Sequence, residues 1–176
     1  MTDRRYILGV DPSLRHLGYA LCYRDAAHHP SALDSADEAD LATDRGQARF
    51  HALLLACQGL GDAFLGIAWE AAPYNVAHGR NERVGQRIRR GQAEAIGTIR
   101  GMALALHLPT LDAVNVSTAK VTFTGSGRAQ KARMIEMARL RYGVALTEHA
   151  ADACGIAHTA LVRWWLEVLQ QRGKGV

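Results

Sequence analysis

Short apolar runs alternate along this chain with longer stretches of helical period. Arg5–Val10 is strand-like and stops at Asp11-Pro12, and a second such run covers about Leu17–Tyr23. The turn between them is too short for a parallel crossover, so the pair is expected to be antiparallel. Between Asp25 and Asp40, Pro30 and polar residues leave room only for a short third strand near Ser31–Ser35. Asp44–Leu60 has helical period, with Asp44 as the expected N-cap, Gln47 three residues on, and Gly59 and Gly61 closing it. Ala63–Glu70 reads as a strand buried on both faces. Arg83–Leu108 is a long helix expected to end at Pro109, and Thr110–Val116 is a further short strand. Thr118–Phe123 is ambiguous. Arg128–Tyr142 is a basic amphipathic helix closed by Gly143, and Thr147–Gln171 is the last helix, with Thr147 as its N-cap. Beyond it the chain should fray from Arg172. Strands first, then strands alternating with helices, imply one α/β domain with a mixed sheet flanked by helices, spanning 1–172 and followed by a frayed tail at 173–176.

Composition narrows the class. At 176 residues, with 48% hydrophobic and 22% charged, the chain suits one globular domain with a real core. No apolar run is long enough to span a membrane, and none behind the N-terminus resembles a signal peptide. Cys22, Cys57 and Cys154 are widely spaced and form no C-x-x-C, which suits reduced core thiols in a cytoplasmic protein. The net charge of +4 is modest, but its distribution is not. Arg80 to Arg133 holds ten Lys/Arg against three acids, whereas Asp34–Asp44 holds five acids and no base. The basic stretch suits a polyanion such as nucleic acid, and suits a solvated helix face equally well.

The candidate chemistry lies at element ends. Asp11 and Glu70 close strands, and His149 and Asp152 sit one helical turn apart at the start of the last helix. Strand C-terminal ends are where α/β sheets usually hold their sites. Clustered carboxylates repel one another, so a shared site calls for divalent cations, and oxygen-rich ligation with one histidine suits Mg²⁺ or Mn²⁺. Two such ions can activate water and stabilise the leaving oxygen of a phosphodiester. Singly, each residue has an ordinary explanation: Asp11 an Asx-turn, Glu70 a strand end, His149 a surface or capping histidine, Asp152 a helix-dipole partner. Their joint placement is what points to chemistry. The other histidines (His16, His28, His29, His51, His78, His107 and His158) show no ligand spacing. Gly125-Ser126-Gly127-Arg128 precedes a helix but is not a Walker A sequence, so no nucleotide site is expected.

At these residues the chain resembles the RuvC family of Holliday junction resolvases, within the ribonuclease H-like nucleases. The opening ILGVDPSLRHLGYAL is similar to the family's strand, Asp-Pro and Gly-Tyr. IAWE resembles the strand of its second acid, and RRGQAEAIGTIRGMAL its long helix. STAKVTFTGSGRAQKARMIEMA resembles the lysine-bearing segment, and HAADACGIAHTAL the terminal acidic helix. The segments keep the family's order from about Ile7 to Leu161.

The resemblance implies a ribonuclease H-like fold with a mixed five-stranded sheet flanked by helices. It implies Asp11, Glu70 and Asp152 as metal-binding acids, with His149 where many members carry another Asp. It implies two Mg²⁺ or Mn²⁺ ions per site, Lys120 and Lys131 as lysines at the cut DNA, and Tyr74 as the aromatic stacking at the open junction. The extra length after Glu70 adds Arg80, Arg83, Arg87, Arg89 and Arg90 as candidate DNA contacts, with Arg128 nearer the lysines. A homodimer packed through Arg83–Leu108 is implied, with Gly91, Ala93, Gly97 and Gly101 allowing close approach, and a branch-migration motor is a potential partner. The expected activity is metal-dependent cleavage of four-way DNA junctions by paired symmetric nicks. The rivals are a broader flap or fork nuclease and a non-catalytic junction-binding protein. An actin-like sugar kinase would need a second duplicated domain, for which there is no room.

Overall fold

A computed structural model describes residues 4–24, 31–71 and 82–173. The strands are β1 (Arg5–Asp11), β2 (Leu17–Arg24), β3 (Ala32–Ala39) and β4 (Phe64–Trp69). The helices are α1 (Asp44–Gly59), α2 (Glu82–Ala105), α3 (Val116–Thr124), α4 (Lys131–Tyr142) and α5 (Glu148–Gly173). The sheet order is β3-β2-β1-β4. The β1/β2 and β2/β3 pairs are antiparallel, as the short first turn requires, and β1 and β4 are parallel.

Alternation along the strands sorts side chains into two cores. Ile7, Ala20, Cys22 and Ala68 pack with α5, α3 and α4 on one face. Leu8, Val10, Leu17, Tyr19, Leu21, Ile67 and Trp69 pack with α1 and α2 on the other. Cys22, Cys57 and Cys154 are buried free thiols. Among the described residues no helix is long and apolar enough to cross a membrane.

The expected five-stranded sheet has four strands. The segment at 110–114 runs beside β4 but makes only isolated parallel bridges, Ile67 to Thr110 and Glu70 to Val114. Three steps along β4 face four along its neighbour, so one surplus residue breaks the ladder. Hydrogen bonds survive on either side, Leu111 N–H to Ile67 O (2.8 Å) and Val114 N–H to Trp69 O (2.8 Å). Element ends also move. The N-cap of α1 is Thr43, one residue before Asp44, with its Oγ1 accepting from Gly46 N–H (3.1 Å). The ambiguous stretch near Thr118 is helix α3, capped by Asn115, whose Oδ1 accepts from Ser117 N–H (2.9 Å). Helix α2 stops before Pro109: His107 adopts a left-handed φ of 54°, and Leu108 N–H reaches Ala103 O at 2.9 Å. Helix α5 continues to Gly173, so Arg172 and Gly173 are helical where fraying was expected, and 174–176 lie outside the described residues.

Helix α5 crosses the sheet on small residues. A Cβ on Gly9 would stand 2.3 Å from Ala153 O and 2.5 Å from Ala157 N. Both are backbone atoms, so relief would require lifting α5 off β1. Gly9→Ala is therefore expected to cost at least about 2 kcal/mol, read as a lowered urea midpoint at unchanged slope. An unchanged midpoint would contradict this packing.

Candidate active site

Parallel pairing puts the C-terminal ends of β1 and β4 side by side, so Asp11 and Glu70 leave the sheet together, with Glu70 N–H bonded to Val10 O (3.3 Å). The first turn of α5 comes down over the same edge. Thr147 caps it, its Oγ1 accepting from Ala150 N–H (3.3 Å). Gly18 opposes Asp11 in β2, and a Cβ there would meet His149 O at 2.1 Å. That close approach delivers His149 and Asp152 to the strand ends.

Asp11, Glu70, His149 and Asp152 accordingly line one cleft of about 260 Å³, with Lys120, Lys131 and Glu148. Val116, Ala119, Met134 and Ile156 are its apolar lining. Asp11 Oδ2 accepts from the Nδ1–H of His149 at 2.7 Å. His16, in the β1–β2 turn, stacks on His149 with centroids 5.6 Å apart and planes 8° from parallel. His16 Nδ1 stands 3.7 Å from Glu38 Oε2. Lys131, at the start of α4, forms an ion pair with Glu148.

The electrostatics are those of crowded, half-desolvated acids. Burial pushes the Glu70 carboxyl up, and repulsion from Asp11 and Asp152 adds to it, so that it titrates at about 7 despite the field of Lys120. Asp152 is raised to about 6, by burial first and then by Asp11, again against Lys120. Asp11 is raised by burial, against the pull of its His149 hydrogen bond. For His149, burial alone would lower the pKa. The hydrogen bond and charge of Asp11, with Glu38 and Glu148, outweigh it, and the net shift is upward.

Three desolvated, mutually repelling carboxylates from three elements are a donor set suited to hard cations. With Nδ1 bonded to Asp11, His149 would offer a metal its other ring nitrogen, Nε2. Among the described residues, however, no three of these side chains already surround one point closely enough to hold an ion. The donor chemistry nevertheless fits a hard divalent cation.

The remaining candidates fare unequally. Lys120 and Lys131 line the cleft, whereas Arg128 is exposed in the turn before α4 and does not. Arg90 is exposed on α2 in an ion pair with Glu94 (2.9 Å), and the half-buried Arg89 is beside it in sequence. Tyr74 and Arg80, and the side chains of Arg83 and Arg87, lie outside the described residues. Sequence reasoning missed Glu148 and His16. Glu148 was visible as an acid in the first turn of a helix, but its contact with Lys131 is tertiary. His16 reaches His149 only through the fold.

No protein-family model and no curated protein sequence matches the chain. Solved structures do. The RuvC of Thermus thermophilus in complex with a Holliday junction substrate aligns at TM-score 0.70 and 20% identity, covering 93% of this chain and 96% of that one. A second Thermus thermophilus RuvC structure aligns at TM-score 0.63 and 22% identity, covering 91% and 96%. The Fowlpox virus resolvase with its Holliday junction DNA aligns at TM-score 0.53 and 14% identity, covering 88% and 97%. The fold is thus ribonuclease H-like and shared with these proteins.

Proposed function

We propose that this chain is a divalent-metal-dependent endodeoxyribonuclease that resolves four-way DNA junctions by paired symmetric nicks. The observation that carries this reading is one cleft where Asp11, Glu70 and Asp152 meet from separate elements, beside Lys120 and Lys131. The shared fold supports the substrate class, since two of the similar structures hold junction DNA.

Asp11, Glu70 and Asp152 would hold Mg²⁺ or Mn²⁺ here, with His149 completing the set. Ions bound there would lower the pKa of an attacking water and offset charge on the leaving oxygen. Lys120 and Lys131 steady the phosphate charge. His149 keeps its hydrogen bond to Asp11 through Nδ1. Tyr74 and the arginines of 80–90, with Arg128, serve the arms of the junction.

A junction has two-fold related strands to cut, so a two-fold homodimer would supply one site per strand. Helix α2 suits such an interface. A Cβ on Gly91, Gly97 or Gly101 would meet nothing within 4 Å, and Leu104 is 76% exposed. Each interior glycine costs its helix about 1 kcal/mol relative to alanine, with no packing reason among the described residues.

The pH profile follows from the charges. His149 is raised above 6.5 and Glu70 titrates at about 7, so the acid limb of the rate should lie near neutrality. Cations bind the deprotonated carboxylates, so raising Mn²⁺ should move that limb to lower pH. A limb that stays fixed as Mn²⁺ rises would detach these groups from the ion.

The substrate test is a panel of labelled four-way junction, replication fork, flap and duplex of matched sequence, incubated with Mn²⁺. The junction should be cut about tenfold faster than the fork or more, a difference of about 1.4 kcal/mol, at symmetric positions in opposite strands. Equal rates on forks and flaps would replace this reading with that of a broader branched-DNA nuclease.

A further inference from the structure

We propose that Glu148 is a positioning residue that stands in for a DNA phosphate, holding Lys131 at the cleft entrance until a phosphodiester displaces it. The inference rests on the reading of the cleft as a DNA site and adds a residue that neither the resemblance nor the sequence pattern assigned.

The placement of Lys131 is the first support. The catalytic cleft opens into a wider groove of about 680 Å³, lined by Ser13, Arg15 and His16 of the β1–β2 turn and by Gly91 and Gln92 of α2. Asp11, Lys131 and His149 are the residues common to groove and cleft. Lys131 therefore stands where an incoming strand would pass from one to the other. Its side chain is 70% exposed, yet its ammonium is tied to Glu148.

The second support is what Glu148 does to the cleft. It lines the same cavity as Asp11 and Asp152, and its side chain is only 32% exposed. A carboxylate that only stabilised the start of α5 could point to solvent. This one turns its charge toward acids that already repel each other, and the ion pair with Lys131 offsets that cost. Such a half-exposed pair is weak enough to exchange partners. A phosphate oxygen offers Lys131 the same kind of acceptor, so one charge-assisted hydrogen bond replaces another. The released carboxylate then faces the cleft beside His149.

The test is junction binding under a chelator at fixed salt, for wild type, Glu148→Gln, Lys131→Gln and the double variant, each checked for folding by circular dichroism. Glu148→Gln should tighten binding about twofold to fivefold, the range set by loosening an exposed ion pair. In the Lys131→Gln background the same change should do nothing, because Glu148 acts through that lysine. Equal tightening in both backgrounds would reduce Glu148 to general repulsion of DNA, and no tightening in either would remove the latch. Both results leave the functional reading standing. Failure of the wild type to bind any junction would overturn the two together.

Discussion

Asp11→Asn should lower junction cleavage by about a thousandfold or more, equivalent to about 4 kcal/mol of barrier, while leaving junction binding nearly unchanged. Asp11 occupies the centre of the cleft: its side chain is only 13% exposed, it accepts the His149 hydrogen bond, and its charge is felt by both Glu70 and Asp152. Asparagine keeps the shape and one acceptor oxygen, but removes the charge that two cations would share. Affinity for DNA comes mainly from phosphate contacts and should survive. Cleavage assays in Mn²⁺, paired with binding under a chelator, separate the two effects. A variant that nicks as fast as wild type would make this chain a junction binder whose cuts come from elsewhere.

Glu70→Gln is expected to show the opposite sign in stability and in activity. Folding raises the Glu70 carboxyl from 4.5 to about 7, mainly by burial and then by repulsion from Asp11 and Asp152. The folded state therefore holds a proton on Glu70 that the unfolded state has released. Stability from this group is complete below about pH 4.5 and is lost as pH rises through 7. Glutamine mimics the protonated form at every pH. The ion-free variant should match wild type near pH 4.5 and exceed it by about 3 kcal/mol at pH 8, raising Tm by about 6–12 °C. Saturating Mn²⁺ should raise the wild-type Tm and leave the variant behind, and the variant should not cleave. An ion-free variant no more stable than wild type at pH 8 would show that the cleft imposes no such penalty on Glu70.

Much of this arrangement is legible in the chain. Apolar runs ending on Asp11 and Glu70 give strand ends, and the parallel β1/β4 pairing places those ends together. The spacing of His149 and Asp152 is visible as one helical turn, and Thr147 is visible as its cap. Glycines at 9 and 18 mark where α5 would press on the sheet, but their meaning depends on knowing which helix lands there. What local pattern could not supply is register. The surplus residue between Thr110 and Val114 turns an expected fifth strand into two isolated bridges, although the segment is as apolar as an edge strand should be. The stretch from Thr118 is rich in β-branched residues, and the Asn115 cap settles it as helix. Contacts between distant surface residues were equally hidden. His16 on His149 and Glu148 on Lys131 are tertiary pairings that no spacing rule predicts.

The central claim is that the acids at 11, 70 and 152 share cations, and crystals soaked in Mn²⁺ test it most directly. Anomalous scattering should show two peaks about 4 Å apart, each within about 2.0–2.4 Å of carboxylate oxygens from Asp11, Glu70 or Asp152. Saturated crystals with no peak in the cleft, or with manganese held only by other residues, would contradict the account.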